Sequence, residues 1–456
     1  MIAVHYERGE CPERIGYVLD FLVQHPLAPP GMHWQWVEDP TAGSSRLLYY
    51  GKQPPVGLRG HVIPAQRLLF REQLPDCSTL HAGRYRWRHH PMYSVEKNPA
   101  AEAPFFTAGR FGFDLFETIF FHLSRLEEYQ CTAEQHDQWD LLRAEFHFLV
   151  REGLERLPVV DQLVRAFYEA LGYALSPRPT TYELSHDIDI IQKFRSPGKV
   201  LRSMGSAVYR GRGLGAVGRI ARRYWGCWRR GDRDPFDTFD WLLSGAPVRK
   251  RLYLMTGGIT PYDRHYDVEE DLMRRGMSLA LERGYELGLH PSYAAYRRLD
   301  LLRAEKERLE RVGGQPVGWS RQHFLHFAFP ETADLLEGVG VTHDSTWGYQ
   351  DRIGFRCGTG FAYRPYHFLE KRAYRFWEVP MIVMDSALLK ATDYQPDRFH
   401  EQFWELIQSL PHDTHLTFNF HNSTFDDTWW PDQWLRKIYL DIPTYFQKEI
   451  RPDIIK

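Results

Sequence analysis

The chain has 456 residues, 43% hydrophobic and 25% charged, the balance of a folded globular protein rather than a disordered one. Lys plus Arg number 57 and Asp plus Glu 59, so the formal net charge is −2, which argues against a general nucleic-acid binder. The five cysteines are odd in number and lack a C-x-x-C pair, so neither a disulfide framework nor a structural zinc finger is expected, and a reducing compartment fits.

Charge interrupts the sequence from Met1 to Arg8 before an apolar run can develop, and no window reaches the ~18 apolar residues of a membrane span. A soluble, cytoplasmic protein is therefore expected. Residues 1–175 read as a mixed α/β domain. Arg46-Leu47-Leu48-Tyr49-Tyr50-Gly51 is a strand followed by a turn. Residues 112–129 place Leu115, Ile119, Leu123 and Leu126 on one helical face, and a second helix carries Val160, Leu163, Val164, Phe167 and Leu171. Ala174 to Thr180, with two prolines and a serine, breaks the pattern and marks a boundary.

From 176 to 456 the chain alternates. Strand-like runs fall at 181–187, 251–255, 285–290, 316–320, 340–344, 376–384 and 414–421. Between them lie helical patterns at 269–283, 299–312 and 396–410, the first two closed by glycines. Alternation implies parallel strands with crossover helices, and seven strands fall one short of a complete eight-fold barrel. A distorted (β/α) barrel is the expected α/β fold. The gap after the first strand, 191–245, is a long insertion; between 193 and 233 it holds twelve Lys/Arg and one acid, Asp232, interleaved with Tyr209, Tyr224, Trp225 and Trp228. This composition suits peripheral contact with an anionic membrane or phosphate groups, and equally a solvated basic helix pair.

In such a barrel the chemistry sits where strands end. The first strand ends Ser185-His186-Asp187-Ile188-Asp189, the third Gly288-Leu289-His290-Pro291-Ser292-Tyr293 and the fourth Ser320-Arg321-Gln322-His323. The fifth ends His343-Asp344-Ser345-Thr346-Trp347 and the last Phe418-Asn419-Phe420-His421-Asn422. Asp187 and Asp189, two apart, point to one side and repel unless a cation or a proton relieves them. The pair alone also fits a surface feature or a holder of a nucleotide-sugar metal. His290 alone fits a structural histidine as well as a ligand.

Together these motifs resemble the polysaccharide deacetylases of the NodB-homology type, carbohydrate esterase family 4. Asp187-Ile188-Asp189 matches that family's paired aspartates, Gly288 to Ser292 its histidine motif, Arg321 its orienting arginine and His421 its last histidine. Phe120 to Tyr129 and Gly354-Phe355-Arg356-Cys357-Gly358-Thr359 further resemble a bacterial subgroup that carries an N-terminal domain of unknown function. The resemblance implies a distorted seven-stranded barrel and metal-assisted hydrolysis of an acetylated sugar or glycan. It implies Asp187 as catalytic base, His421 as acid, Arg321 as the residue orienting the base, and a divalent metal, zinc foremost, on Asp189 and His290. The family pattern has a second histidine four residues after the first, where this chain has Ala294. His323, at the same rim, is the substitute third ligand; packing against Phe324 and Phe327 is its other reading. Tyr293, Asp344 and Trp347 are candidates for a substrate wall, with Asp344 also readable as a helix cap and Trp347 as a core aromatic. Two alternatives stay open: a degenerate barrel that binds saccharide without hydrolysing it, favoured by Ala294, and a glycosyltransferase using the D-x-D pair.

Overall fold

The structure, a computed structural model, describes the chain except for residues 7–10, 42–46, 100–101, 139, 245–247, 259, 264–265 and 450–456. Arg46, the first residue of the expected N-terminal strand, therefore lies outside the described residues, as do Arg8 and the end of the basic insertion at 245. The strand itself, Leu47–Gly51, is buried throughout, as an apolar run inside a parallel sheet should be. It sits in a six-stranded sheet of order Trp34–Trp36, Ile2–Tyr6, Leu47–Gly51, Gly60–Pro64, Arg110–Phe111, Phe106–Thr107. Only the last pairing is antiparallel.

The single helix expected over 112–129 is two, Leu115–Ser124 and Leu126–Gln130. Arg125 breaks it, with φ 55° in the left-handed region. Its buried guanidinium reaches Glu128 at 3.0 Å and the Arg356 carbonyl at 2.9 Å. Arg356 in turn grips Glu128 at 2.6 Å. These contacts join the Phe120–Tyr129 and Gly354–Thr359 motifs in one buried ion-pair knot.

The later residues form an eight-stranded, all-parallel, curled sheet of barrel type. Its strands are β1 (Thr181–Ile188), β2 (Lys250–Leu254), β3 (Glu286–Leu289), β4 (Trp319–Ser320), β5 (His343–Asp344), β6 (Trp377–Glu378), β7 (Val383–Met384) and β8 (His415–Asn419). The order is β6-β5-β4-β3-β2-β1-β8-β7. The two edge strands are ends of one run, 377–384, which crosses the seam: the Val379 amide donates to Asp344 at 2.8 Å and the Ile382 amide to Thr417 at 3.1 Å. β4 and β5 keep two residues each, fewer than the expected 316–320 and 340–344.

Helices cover the outside. The insertion contributes α1 (Pro197–Tyr209) and α2 (Gly213–Arg230). They are followed by α3 (Asp271–Glu282), α4 (Leu299–Gly313), α5 (Glu331–Gly338), α6 (Asp385–Ala391), α7 (Pro396–Ser409) and α8 (Trp434–Glu449). α4 stops at Gly314, whose φ of 68° is reached without strain only by a residue lacking Cβ. Period-two alternation sorts β1. His186 turns to the helical layer, where its Nε2 lies 3.3 Å from the Tyr439 hydroxyl, while Ser185 and Asp187 point into the barrel.

Candidate active site

Asp187 is 2% exposed at the end of β1. Arg321, just past β4, donates to its Oδ1 at 3.0 Å, and Asn419, closing β8, donates to its Oδ2 at 2.7 Å. Arg321 is itself immobilised. The Nη1 that bonds Asp187 also donates to Ser185 Oγ, while Nη2 and Nε donate to Ser345 Oγ and the Ser345 carbonyl, each at 2.9 Å, and the guanidinium carbon lies 4.3 Å from the centre of the Tyr253 ring. Burial alone would raise the Asp187 carboxyl, but Arg321, His290 and His421 outweigh it and hold the group below the usual carboxylate range.

Beside it, Asp189, His290 and His323 each present one ligand atom, all within 4.8 Å of one another. His290 Nε2 stands 3.3 Å and His323 Nε2 4.0 Å from Asp189 Oδ1. The other nitrogen of His290 donates to the Arg321 carbonyl at 2.6 Å, which orients the ring and turns Nε2 toward Asp189. Burial disfavours the charged ring, but Asp187 and Asp189 outweigh it and raise its pKa, so a cation bound there would displace the Nε2 proton. Burial pushes His323 down to about 4, so its imidazole is neutral, as a ligand must be. Asp189 Oδ1 and His323 Nδ1 are buried with no well-formed hydrogen bond. Such orphaned atoms are costly unless something else satisfies them. Two imidazoles and one carboxylate facing a common point fit a divalent cation with a coordination position left open. Directly after His323 the chain is left-handed at Phe324 and Leu325, φ 58° and 56°, strain of ~1 kcal/mol or more concentrated at the rim.

His421 completes the ring. Its Nδ1 is 2.6 Å from Asp385 Oδ1, and its backbone amide donates to Asp385 Oδ2 at 2.8 Å. Nε2 faces Asp187 and Asp189 at 3.9 and 3.8 Å. Burial works against the imidazolium, but Asp385, Asp189 and Asp187 outweigh it and lift the pKa to about 10. At neutral pH His421 therefore carries a proton on the nitrogen that faces the cleft.

The structure thus brings Asp187, Asp189, His290, Arg321, His323 and His421 together. Tyr293 stands at the lip, its ring 5.0 Å from Tyr262 and 5.8 Å from Phe324, both partly exposed. Asp344 and Trp347 lie elsewhere. Asp344 is fully buried opposite Glu378 of β6, where Thr346 donates to it at 3.0 Å. Trp347 packs inside against Phe327 and Phe329 under the Arg125 guanidinium. Asp344 is 0% and Trp347 1% exposed, each packed among interior groups rather than at the lip with Tyr293. Asp385 and Asn419 are the residues without an assigned role in the sequence reading. Asn419 lies in a motif already singled out, two positions before His421; Asp385 has no local signal, being 36 residues from its partner.

Residues 3–175 match a family of unknown function, DUF7033. No curated protein matches the chain. Among solved structures, one described as a polysaccharide deacetylase from Mycobacterium smegmatis is 14% identical over 58% of this chain and 86% of its own, with a TM-score of 0.32. A 4-alpha-glucanotransferase from Thermococcus litoralis is 11% identical over 58% of this chain and 38% of its own, TM-score 0.35. A mutant of BA3943, a CE4 family pseudoenzyme with restored enzymatic activity, is 11% identical over 58% and 64%, TM-score 0.27. Likenesses this weak leave the chemistry to the site's own geometry.

Proposed function

We propose that this chain is a metal-dependent hydrolase that removes acetyl groups from a sugar, glycan or glycan precursor. In this reading residues 176–456 form a (β/α)7 barrel, with the split run 377–384 counted as one strand and 191–245 as an insertion, and residues 1–175 form a separate domain. The observation that carries it is the placing of three convergent ligand atoms between a carboxylate held ionised and a histidine held protonated.

Asp189, His290 and His323 would hold the cation, zinc being well suited to two imidazoles and a carboxylate. The bound cation would supply Lewis-acid polarisation of the acetyl carbonyl and acidify a water. Asp187 accepts that water's proton, kept anionic by Arg321 and aimed by Asn419. His421 delivers its Nε2 proton to the departing nitrogen or oxygen, and Asp385 keeps it loaded and oriented. Tyr293, with Tyr262 and Phe324, offers ring faces to the sugar.

The test is acetate release from a panel of N- and O-acetylated sugars and glycans by zinc-loaded protein. Release is expected, abolished by a chelator and restored by zinc. Ala294 favours a second reading, a barrel that binds saccharide without cleaving it. One metal bound per chain, saccharide retained and no acetate from any substrate would select that reading.

A further inference from the structure

Outside the site, the hairpin of α1 and α2 is anomalous in two ways. First, it leaves large apolar groups in solvent. On α2 the positions Leu214, Gly218, Ala221, Trp225 and Trp228 follow a 4-3-4-3 spacing, so they form one stripe, and all five are exposed. Leu214 is 84%, Trp225 55% and Trp228 65% exposed. The opposite face of α2 is already used: Ala216 and Ile220 pack on Val200 and Ala207 of α1. The stripe is therefore an additional apolar face with no protein to cover it among the described residues. Second, residues 197–230 contain nine Lys/Arg and no acid. Arg223 and Arg230 pair with Asp427 and Asp232; the other seven have no ion pair among the described residues. Arg222 and Arg229 flank the stripe directly, one position on from Ala221 and Trp228.

The geometry points to this hairpin as a docking surface for an anionic lipid bilayer. A tryptophan-bearing stripe edged by arginines is the pattern of a helix lying in a membrane interface, with indoles at headgroup level and cations on lipid phosphates. Charge selects the occupant. A second copy would set one all-cationic hairpin against another, and a neutral partner would leave the cations unanswered. No helix among the described residues is long and apolar enough to cross a membrane, so the contact is peripheral.

The hairpin's root is fastened to the rim of the barrel. Lys193 bonds Asp426 and Thr428, Asp234 accepts the amides of Lys193 and Phe194 at 2.8 and 2.9 Å, and Asn422 donates to the Ile190 and Phe236 carbonyls at 2.8 and 2.9 Å. Asn422 directly follows His421, so docking places the candidate site beside the headgroups. The inference rests on exposure and charge and holds whether or not the site hydrolyses anything.

The experiment is flotation of the full chain with phosphatidylcholine vesicles made with and without phosphatidylglycerol, at low and physiological salt. Binding to the anionic vesicles alone is expected, weakening with salt. Trp225→Ala/Trp228→Ala and, separately, Arg222→Glu/Arg229→Glu should each weaken it at least about tenfold, with circular dichroism unchanged because all four side chains are largely in solvent. Brominated acyl chains should quench tryptophan fluorescence in the wild type more than in the tryptophan variant. Equal recovery on both vesicle types, no binding to either, or full binding by both variants overturns the proposal. So does a dimer in light scattering that the tryptophan variant dissociates while vesicles are ignored, which would assign the stripe to a second copy.

Discussion

Two acids at opposite ends of β1 live differently: Glu183 is buried near its start, and Asp189, one residue past its end, has a side chain 25% exposed. Near the bottom, Glu183 is clamped directly by Arg251 at 2.6 Å, and that guanidinium lies on the Trp319 ring, 3.3 Å from its centre. Burial would raise Glu183, but His415 and Arg251 outweigh it and hold it at about 2. At the top, Asp189 meets imidazoles at 3.3 to 4.0 Å and keeps an oxygen without a formed hydrogen bond. One strand thus shows that a buried charge is not itself a functional signal. A direct partner does not by itself mark a brace, since Asp187 also has one in Arg321 at 3.0 Å; the rim is set apart by convergent groups that stand off from one another.

Substitutions at the two ends should separate these roles. The largest effect is expected at the top: Asp187→Asn should lower turnover per folded molecule by ~10²–10⁴, read as acetate release normalised to the folded fraction from thermal unfolding, because the change also takes the carboxylate charge from buried Arg321. Wild-type turnover by that variant would remove Asp187 as base. At the bottom, Glu183→Ala strands Arg251 in the interior and should cost about 3 kcal/mol in urea unfolding, with activity per folded molecule retained. Lost activity without lost stability would break the distinction. Next, His323→Ala should weaken zinc binding at least about tenfold by calorimetry while leaving the fold intact; unchanged affinity would return His323 to a packing role.

The smallest effect concerns the interior pair Asp344 and Glu378. Burial raises both carboxyls, and for Glu378 the neighbouring Asp344 charge adds to it. The folded chain therefore keeps protons that the unfolded chain releases near pH ~4. Stability that this pair permits at or below that pH is lost as pH rises toward the folded values. Asp344→Asn should flatten the loss, gaining about 1 kcal/mol at neutral pH and little at pH ~4, read by urea unfolding at both. An equal gain at both would assign the effect to packing.

The barrel strands were legible because apolar runs alternate with amphipathic helices, and the rim residues because they follow those runs. The short β4 and β5 explain the difficulty with Asp344 and Trp347: a polar residue at the end of a two-residue strand reads the same whether it turns in or out. Arg125 breaks its helix for the sake of a carbonyl 231 residues away, which no local periodicity contains. Asp385 escaped for a related reason. Its place beside His421 depends on how the two edges of the sheet meet.

That seam has a chemical consequence. Asp385 is the first residue after the run 377–384, so it is delivered to His421 by the same stretch that ties β6 to one edge and β7 to the other. Closing the barrel and setting Asp385 beside His421 therefore depend on the same stretch of chain. A molecule whose seam has come undone would lose the carboxylate that raises the proton affinity of His421 and, on the proposed mechanism, the proton meant for the leaving group. Amide exchange at Val379, Met381 and Ile382 would count the fraction of molecules with the seam closed, which on the proposed mechanism is the fraction fit to react.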